Sequence, residues 1–175
     1  MTRARREKEA VGSRLTSQAV WAEIAKASFA VLSYATPSGD PRSSGVVYKM
    51  LGRRMYIATD PDSWKARHIA VSGRVAVTAP VRRGGVLSLV VPIPPATISF
   101  HATAVVHPAG SPQVRPLLTK LRSLLPEERQ SSAAIIEVAP EGTFVTYGIG
   151  VSLTQLRDAQ AARARVPVDA RGGMS

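Results

Sequence analysis

The sequence contains no cysteine, which excludes disulfides, thiolate metal sites and cysteine nucleophiles. Aromatic residues make up only 5% of a chain that is 45% hydrophobic, so its core must be built from Val, Ala, Leu and Ile. Histidines are few: His68, His101 and His107. If His101 and His107 share a strand they lie roughly 20 Å apart at ~3.3 Å per residue, too far to hold one metal ion. No HExxH, GxSxG or paired-carboxylate motif occurs, and there is no Walker loop and no GxGxxG. These absences argue against metal-dependent and triad catalysis, and no catalytic residue or metal ligand is assigned. Long apolar runs are also missing. The longest, Val86–Ile98, is broken by Pro92, Pro94 and Pro95 and is too short to span a bilayer. The basic start of the chain is not followed by an apolar stretch of the secretory type, so a cytoplasmic protein without membrane association is expected.

Negative charge is scarce as well, with 12 acidic residues against 23 Lys and Arg and a formal charge of +11. Much of the excess sits near the ends, in Arg3, Arg5, Arg6, Lys8 and Arg14 and again in Arg157, Arg163, Arg165 and Arg171. Such charges are ordinarily solvated. Nucleic acid is the alternative partner for a basic chain, but no helix-turn-helix, finger or aromatic-rich strand accompanies the charge. It is not an expected partner. A small anionic ligand needs only a few of these cations.

The 175 residues argue for one domain with tails: a basic flexible leader over 1–14, a body over 15–150, and a helix or tail over 151–175. Thr16 or Ser17 can cap a helix to about Ala27, with Val20, Trp21 and Ile24 on one stripe. Trp21 reads as a core plug. Strands are expected at Phe29–Ala35, Arg42–Leu51, Met55–Thr59, Arg74–Pro80, Val86–Val91, Thr97–His107, Ala133–Ala139 and Thr143–Ile149. Turns fall at Thr36–Pro41, Gly52–Arg53, Val81–Gly85 and Pro140–Gly142. A helix is expected over Pro112–Leu125, ended by Pro126, and another from Ser152 to about Arg165. Gly45, inside the second strand, marks a bulge or a close approach to the backbone. Short strands with few helices indicate a mainly β, α+β chain. One helix after the third strand favours a Greek-key barrel over a plain sandwich.

The stretch that organises this pattern is Met55–Gly73, MYIATDPDSWKARHIAVSG. A strand rich in β-branched and aromatic residues enters a helix for which Asp60 is the expected N-cap, Pro61 the first position and Gly73 the close. Ser63 places a hydroxyl and Lys65 a cation beside helix-start N–H groups, a plausible phosphate seat. A phosphate seat beside a β-surface suits a cofactor that carries its own reactivity. Flavin mononucleotide (FMN) fits, with its phosphate at Ser63 and Lys65. Its ring would lie along Val46–Lys49 and Tyr56–Thr59, with Tyr48 and His101 as further pocket-lining candidates.

The run GVVYKM at Gly45–Met50, then MYIATDPDSWKARHI, RVAVTAP and the later ISFHATAVV, resembles the pyridoxamine 5′-phosphate oxidase-related, FMN-binding split-barrel superfamily over roughly residues 17–150. The resemblance implies a six-stranded antiparallel Greek-key split barrel with a few flanking helices. It also implies a homodimer with flavins at the subunit interface, and an FMN-dependent oxidoreductase passing a hydride to or from a small substrate. Carried over by position, the cofactor-binding residues are Val46, Val47, Tyr48, Lys49, Thr59, Ser63, Trp64 and Lys65, with Arg42 as a second phosphate ligand. The vitamin B6 oxidases of this superfamily carry Ser-Arg-Lys where this chain has Ser63-Trp64-Lys65. Their C-terminal Arg/His motif has no counterpart here, so pyridoxal phosphate synthesis is not implied. The same barrel serves proteins that bind the deazaflavin coenzyme F-420, the alternative cofactor. It also serves non-catalytic flavin or haem binders, the alternative from another class.

Overall fold

The computed structural model describes residues 15–82, 96–150 and 162–169, together with Asp158 and Gln160. The expected leader over 1–14, the strand at 86–91 and most of the stretch 151–161 lie outside those residues. Within them the chain is mainly β. Strands β1 (Phe29–Ala35), β2 (Pro41–Val47), β3 (Lys49–Leu51), β4 (Arg54–Thr59), β5 (Arg74–Val81), β6 (Ala96–His107), β7 (Ala134–Tyr147) and β8 (Arg163–Pro167) are joined in the order β2-β1-β5-β6-β7-β4-β3, with β8 on β7. The helices are α1 (Ser17–Lys26), α2 (Trp64–Ser72), α3 (Val114–Lys120) and the single turn α4 (Glu127–Gln130). Eight strands are described, where the resemblance implies a six-stranded barrel. No described helix is long and apolar enough to cross a membrane.

The sequence reading has one strand from Arg42 to Leu51, and the structure breaks it at Tyr48. The segment serves two different neighbours. β2 pairs with β1 (Phe29↔Val47 through Ala35↔Pro41), whereas β3 pairs with β4 (Lys49↔Tyr56, Leu51↔Arg54). A single straight strand cannot satisfy both ladders. The Tyr48 N–H therefore donates to the Ser28 carbonyl at 3.0 Å, and its side chain is 2% exposed.

The converse correction applies to residues 133–149, expected as two strands around a turn. β7 runs straight through. Its first part pairs with β4 (Met55↔Val138, Thr59↔Ala134) and its second with β8 (Thr143↔Pro167, Tyr147↔Arg163). Gly142 has φ +68° and lies between the two partners, where its carbonyl accepts the Val168 N–H at 2.9 Å. A left-handed glycine there shifts the strand without reversing it. The helix expected over 152–165 is corrected at its end as well. Residues 163–165 belong to β8, where Ala164 and Val166 turn toward cover on alternate positions and the ladder to β7 outweighs helix propensity. The expected helix over Pro112–Leu125 is divided into α3 and a 3-10 turn at Arg122–Leu124, and the separate turn α4 follows Pro126. Gln113 supplies no side-chain cap, and proline cannot continue a ladder.

The chain divides into two compact units. One comprises Met1–Ala27, Thr78–Phe100 and Gly142–Ser175. In it Thr16 caps α1 by accepting the Ala19 N–H, and Val20 and Ile24 are buried. Trp21 is the core plug its spacing indicates: its ring meets Phe144 edge-on at 5.1 Å, and its Nε1–H donates to the Val168 carbonyl at 3.2 Å. Such pairing satisfies the indole N–H while burying its area. The other unit comprises Ser28–Val77 and His101–Glu141. Tyr56, Val114, Leu121 and Ile135 form a buried cluster there, packed by Leu51, Ala58, Leu117, Leu118 and Leu124. This cluster holds α3 against β4 and β7 and so positions the segment that follows α3.

Candidate functional site

The strand-to-helix junction expected after β4 is present, with a different cap. Asp60 does not cap α2. Its Oδ1 accepts the Asp62 N–H at 2.8 Å, and its carbonyl accepts the Ser63 N–H at 3.1 Å. An aspartate that bonds its own backbone two residues on closes a turn and delays the helix. Pro61 therefore lies in the turn, and Ser63 is the N-cap, accepting the Ala66 N–H at 3.4 Å. The Ser63 and Thr59 hydroxyls lie 3.1 Å apart, which ties the end of β4 to the start of α2. Gly73 ends the helix in the left-handed region, as expected.

Beside this junction, inside the second unit, opens a cleft of about 490 Å³, in the size range of small-molecule sites. Gly45, Val46 and Val47 of β2 line it, as do Ile57, Ala58 and Thr59 of β4. Among the described strands these two are not ladder partners, and β2 ends the hydrogen-bonded order, so its outer edge has no described ladder partner. Asp60, Pro61 and Lys65 complete that side. Lys65 and Arg129 are the cations of the lining and Asp60 its carboxylate.

Of the eight residues expected to bind cofactor, the cleft brings together Val46, Val47, Thr59 and Lys65. Ser63 stands behind Thr59 as the helix cap and is not among the lining residues. Tyr48 is buried away from it, and burial pushes its phenol from 10.0 up to about 12. Lys49, expected under the ring, instead donates to the Lys120 carbonyl at 2.8 Å. That carbonyl is at the end of α3, where a cation meets orphan acceptors. Trp64 is 69% exposed, with the Arg67 guanidinium 5.0 Å over its ring and the His68 ring 5.6 Å away. Arg42 and His101 are exposed and do not line the cleft. His107 is engaged elsewhere, its Nε2 2.9 Å from Glu137, which also pairs with Arg54 at 2.7 Å.

The sequence reading missed the wall contributed by Leu124, Leu125, Pro126, Arg129, Ser132 and Ala133. Pro126 and the leucines before it were legible as a helix end. Their nearness to Thr59 was not, because it follows from the register Thr59↔Ala134 between β4 and β7. That pairing sets Ser132 and Ala133 just past the end of β4, alongside Asp60.

The sequence matches no protein-family model and no curated protein. Solved structures match with probability 1.00. HutZ, the haem storage protein from Vibrio cholerae, superposes with TM-score 0.60 at 14% identity, over 77% of this chain and 96% of its own. General Stress Protein 26 from Bacillus anthracis gives 0.55 at 18% identity, over 74% and 92%. An F-420 reductase gives 0.54 at 16% identity, over 70% and 93%. Together with pyridoxamine 5′-phosphate oxidase-like structures they share one architecture. The chain has the split-barrel fold. In this split barrel the cleft lies between β2 and β4, where the strand order leaves them unpaired.

Proposed function

We propose that the cleft binds FMN and that the protein is an FMN-dependent oxidoreductase acting on a small substrate. The observation that carries this reading is that Thr59 and Lys65 line the same cleft as Gly45, Val46 and Val47 of β2. A phosphate would be held by the Lys65 ammonium and the Thr59 hydroxyl, with Ser63 fixing the orientation of Thr59. The exposed side chain of Val47 offers an apolar surface for a ring, and β2 backbone groups offer hydrogen bonds to its polar edge. A bound flavin supplies the hydride chemistry, and this chain's residues bind, orient and exclude water. None is assigned as acid or base, and pyridoxamine phosphate is not the proposed substrate.

The second reading is a deazaflavin, coenzyme F-420, as in the reductase of like fold. The additional cation Arg129 favours it. Haem, which HutZ stores, is less well supported. None of the described lining residues is a His, Met, Tyr or Cys, the usual axial ligands.

The proposed assembly is a cytoplasmic homodimer. On one face of the β1–β2 hairpin, Phe29, Val31 and Val47 are 46%, 36% and 53% exposed, an apolar strip continuous with the cleft through Val47. Light scattering should give twice the chain mass of 18.6 kDa. A visible spectrum of protein passed through a desalting column after mixing with FMN tests the cofactor. Retained flavin bands are the expected result, and elution of all flavin in the small-molecule fraction rejects it. A single violet band or a Soret band in the protein as isolated would favour deazaflavin or haem.

A further inference from the structure

The cleft holds two cations brought by different segments. Lys65 comes from the first turn of α2, and Arg129 from α4, on the missed wall. Among the described residues neither has an ion pair or a side-chain hydrogen bond, whereas Lys26, Arg54 and His107 each face a glutamate. Asp60 is the acid of the lining, and one of its oxygens is occupied by the Asp62 N–H. Like charges sharing a cleft of about 490 Å³ repel each other, more strongly as water is displaced. A guest with one negative group relieves one of them. A guest with two relieves both. Arg129 is suited to the second, since its planar fork of donors matches phosphate or carboxylate oxygens in pairs. Ser132, three residues on and also in the lining, adds a hydroxyl beside it.

We propose that Arg129 holds a second anionic group, distinct from the phosphate at Lys65, so that the cleft accepts FMN but binds molecules carrying two phosphate- or carboxylate-class anions more tightly. The identity of the first anion rests on the flavin reading above, but the pairing of the two cations does not.

The experiment is calorimetric titration of the full chain at constant ionic strength with FMN, with FAD, and with inorganic pyrophosphate as a ring-free probe. The variants are Lys65→Gln, Arg129→Gln and, as a control outside the cleft, Arg115→Gln, which is exposed on α3. Arg129→Gln should weaken FAD at least tenfold and leave FMN within twofold. Lys65→Gln should weaken both flavins at least tenfold, and Arg115→Gln neither. The proposal is overturned if Arg129→Gln affects FAD no more than the control does. It is equally overturned if Arg129→Gln weakens FMN and FAD alike, since Arg129 would then share the first phosphate. If neither flavin binds but pyrophosphate does, with a tenfold loss in each cleft variant, the flavin reading falls and the two-anion cleft stands. If none of the three probes binds, both fall.

Discussion

The hydroxyls of Thr59 and Ser63 lie 3.1 Å apart, so the last residue of β4 is bonded to the cap of α2. Thr59 is buried while Ser63 is only partly so. This contact fixes the angle at which the strand hands over to the helix, and with it the direction of Lys65.

Ser63→Ala removes both the cap and the Thr59 contact. It should lower the unfolding free energy by about 0.5–2 kcal/mol, the range for loss of a helix cap, whether or not a ligand is present. Thr59→Val removes only the hydroxyl pairing and should cost less, about 0.5–1.5 kcal/mol. Urea denaturation of the two variants measures the order. A Ser63→Ala protein as stable as its parent would show that the cap contributes nothing.

Lys65 and Lys49 were both expected at the ligand, and the structure separates them. Lys65→Ala should weaken FMN binding by about 1.5–3 kcal/mol, the range for a charge-assisted hydrogen bond, with unchanged stability. Lys49→Ala removes the donor to the Lys120 carbonyl and should instead destabilise by about 0.3–1 kcal/mol with FMN affinity intact. Fluorescence titration alongside denaturation distinguishes them. The reverse pattern would restore Lys49 to the site.

Gly45 has the Phe29 ring across it, with Cε2 and Cζ only 3.0 Å from where a Cβ would stand. The close approach anticipated for this glycine therefore comes from a cross-strand aromatic. Gly45→Ala should cost about 1 kcal/mol through that clash. In a Phe29→Leu background the cost should nearly vanish. A double-mutant cycle measures the coupling, and additive effects would mean that the two side chains do not touch.

Tyr48 contributes an alkaline pH dependence, beside Tyr56, whose phenol is also raised by burial and by the Glu137 carboxylate. Burial raises the Tyr48 phenol from 10.0 to about 12, so the unfolded chain loses this proton first. The associated stability is complete below pH 10, declines as pH rises between the two values, and is gone above about 12. Urea midpoints across that window should fall in the parent and fall less in Tyr48→Phe. Equal slopes would remove Tyr48 as the source.

The local pattern in the sequence was enough for much of this. The alternation in 97–107, the capped stripe of Val20, Trp21 and Ile24, the hairpin at Gly52 and the strand entering a helix at Thr59 all depend on neighbours a few residues apart. Periodicity and turn chemistry encode such neighbours directly. Thr59 and Lys65 were legible for the same reason, being six positions apart across one junction. The cap itself was misread by three residues because Asp60 and Ser63 both suit it. Ser63 wins because the Asp60 carboxylate and carbonyl are taken up by the Asp62 and Ser63 N–H groups in the turn before it.

The long-range pairings carry the rest. Tyr48 interrupts a strand and Gly142 shifts one without interrupting it, and both lie where the chain changes partner. A change of partner is a relation between segments with no local signature. Lys49 reaches the end of α3 and does not line the cleft, whereas Arg129 lines it, on the wall that follows from the ladder setting Ala134 opposite Thr59. The amino-acid sequence alone determined that a strand would deliver a hydroxyl and a lysine to a helix start. Only the tertiary structure decided what faces them, because strand register, summed over many weak cross-strand contacts, selects which distant residues share a wall.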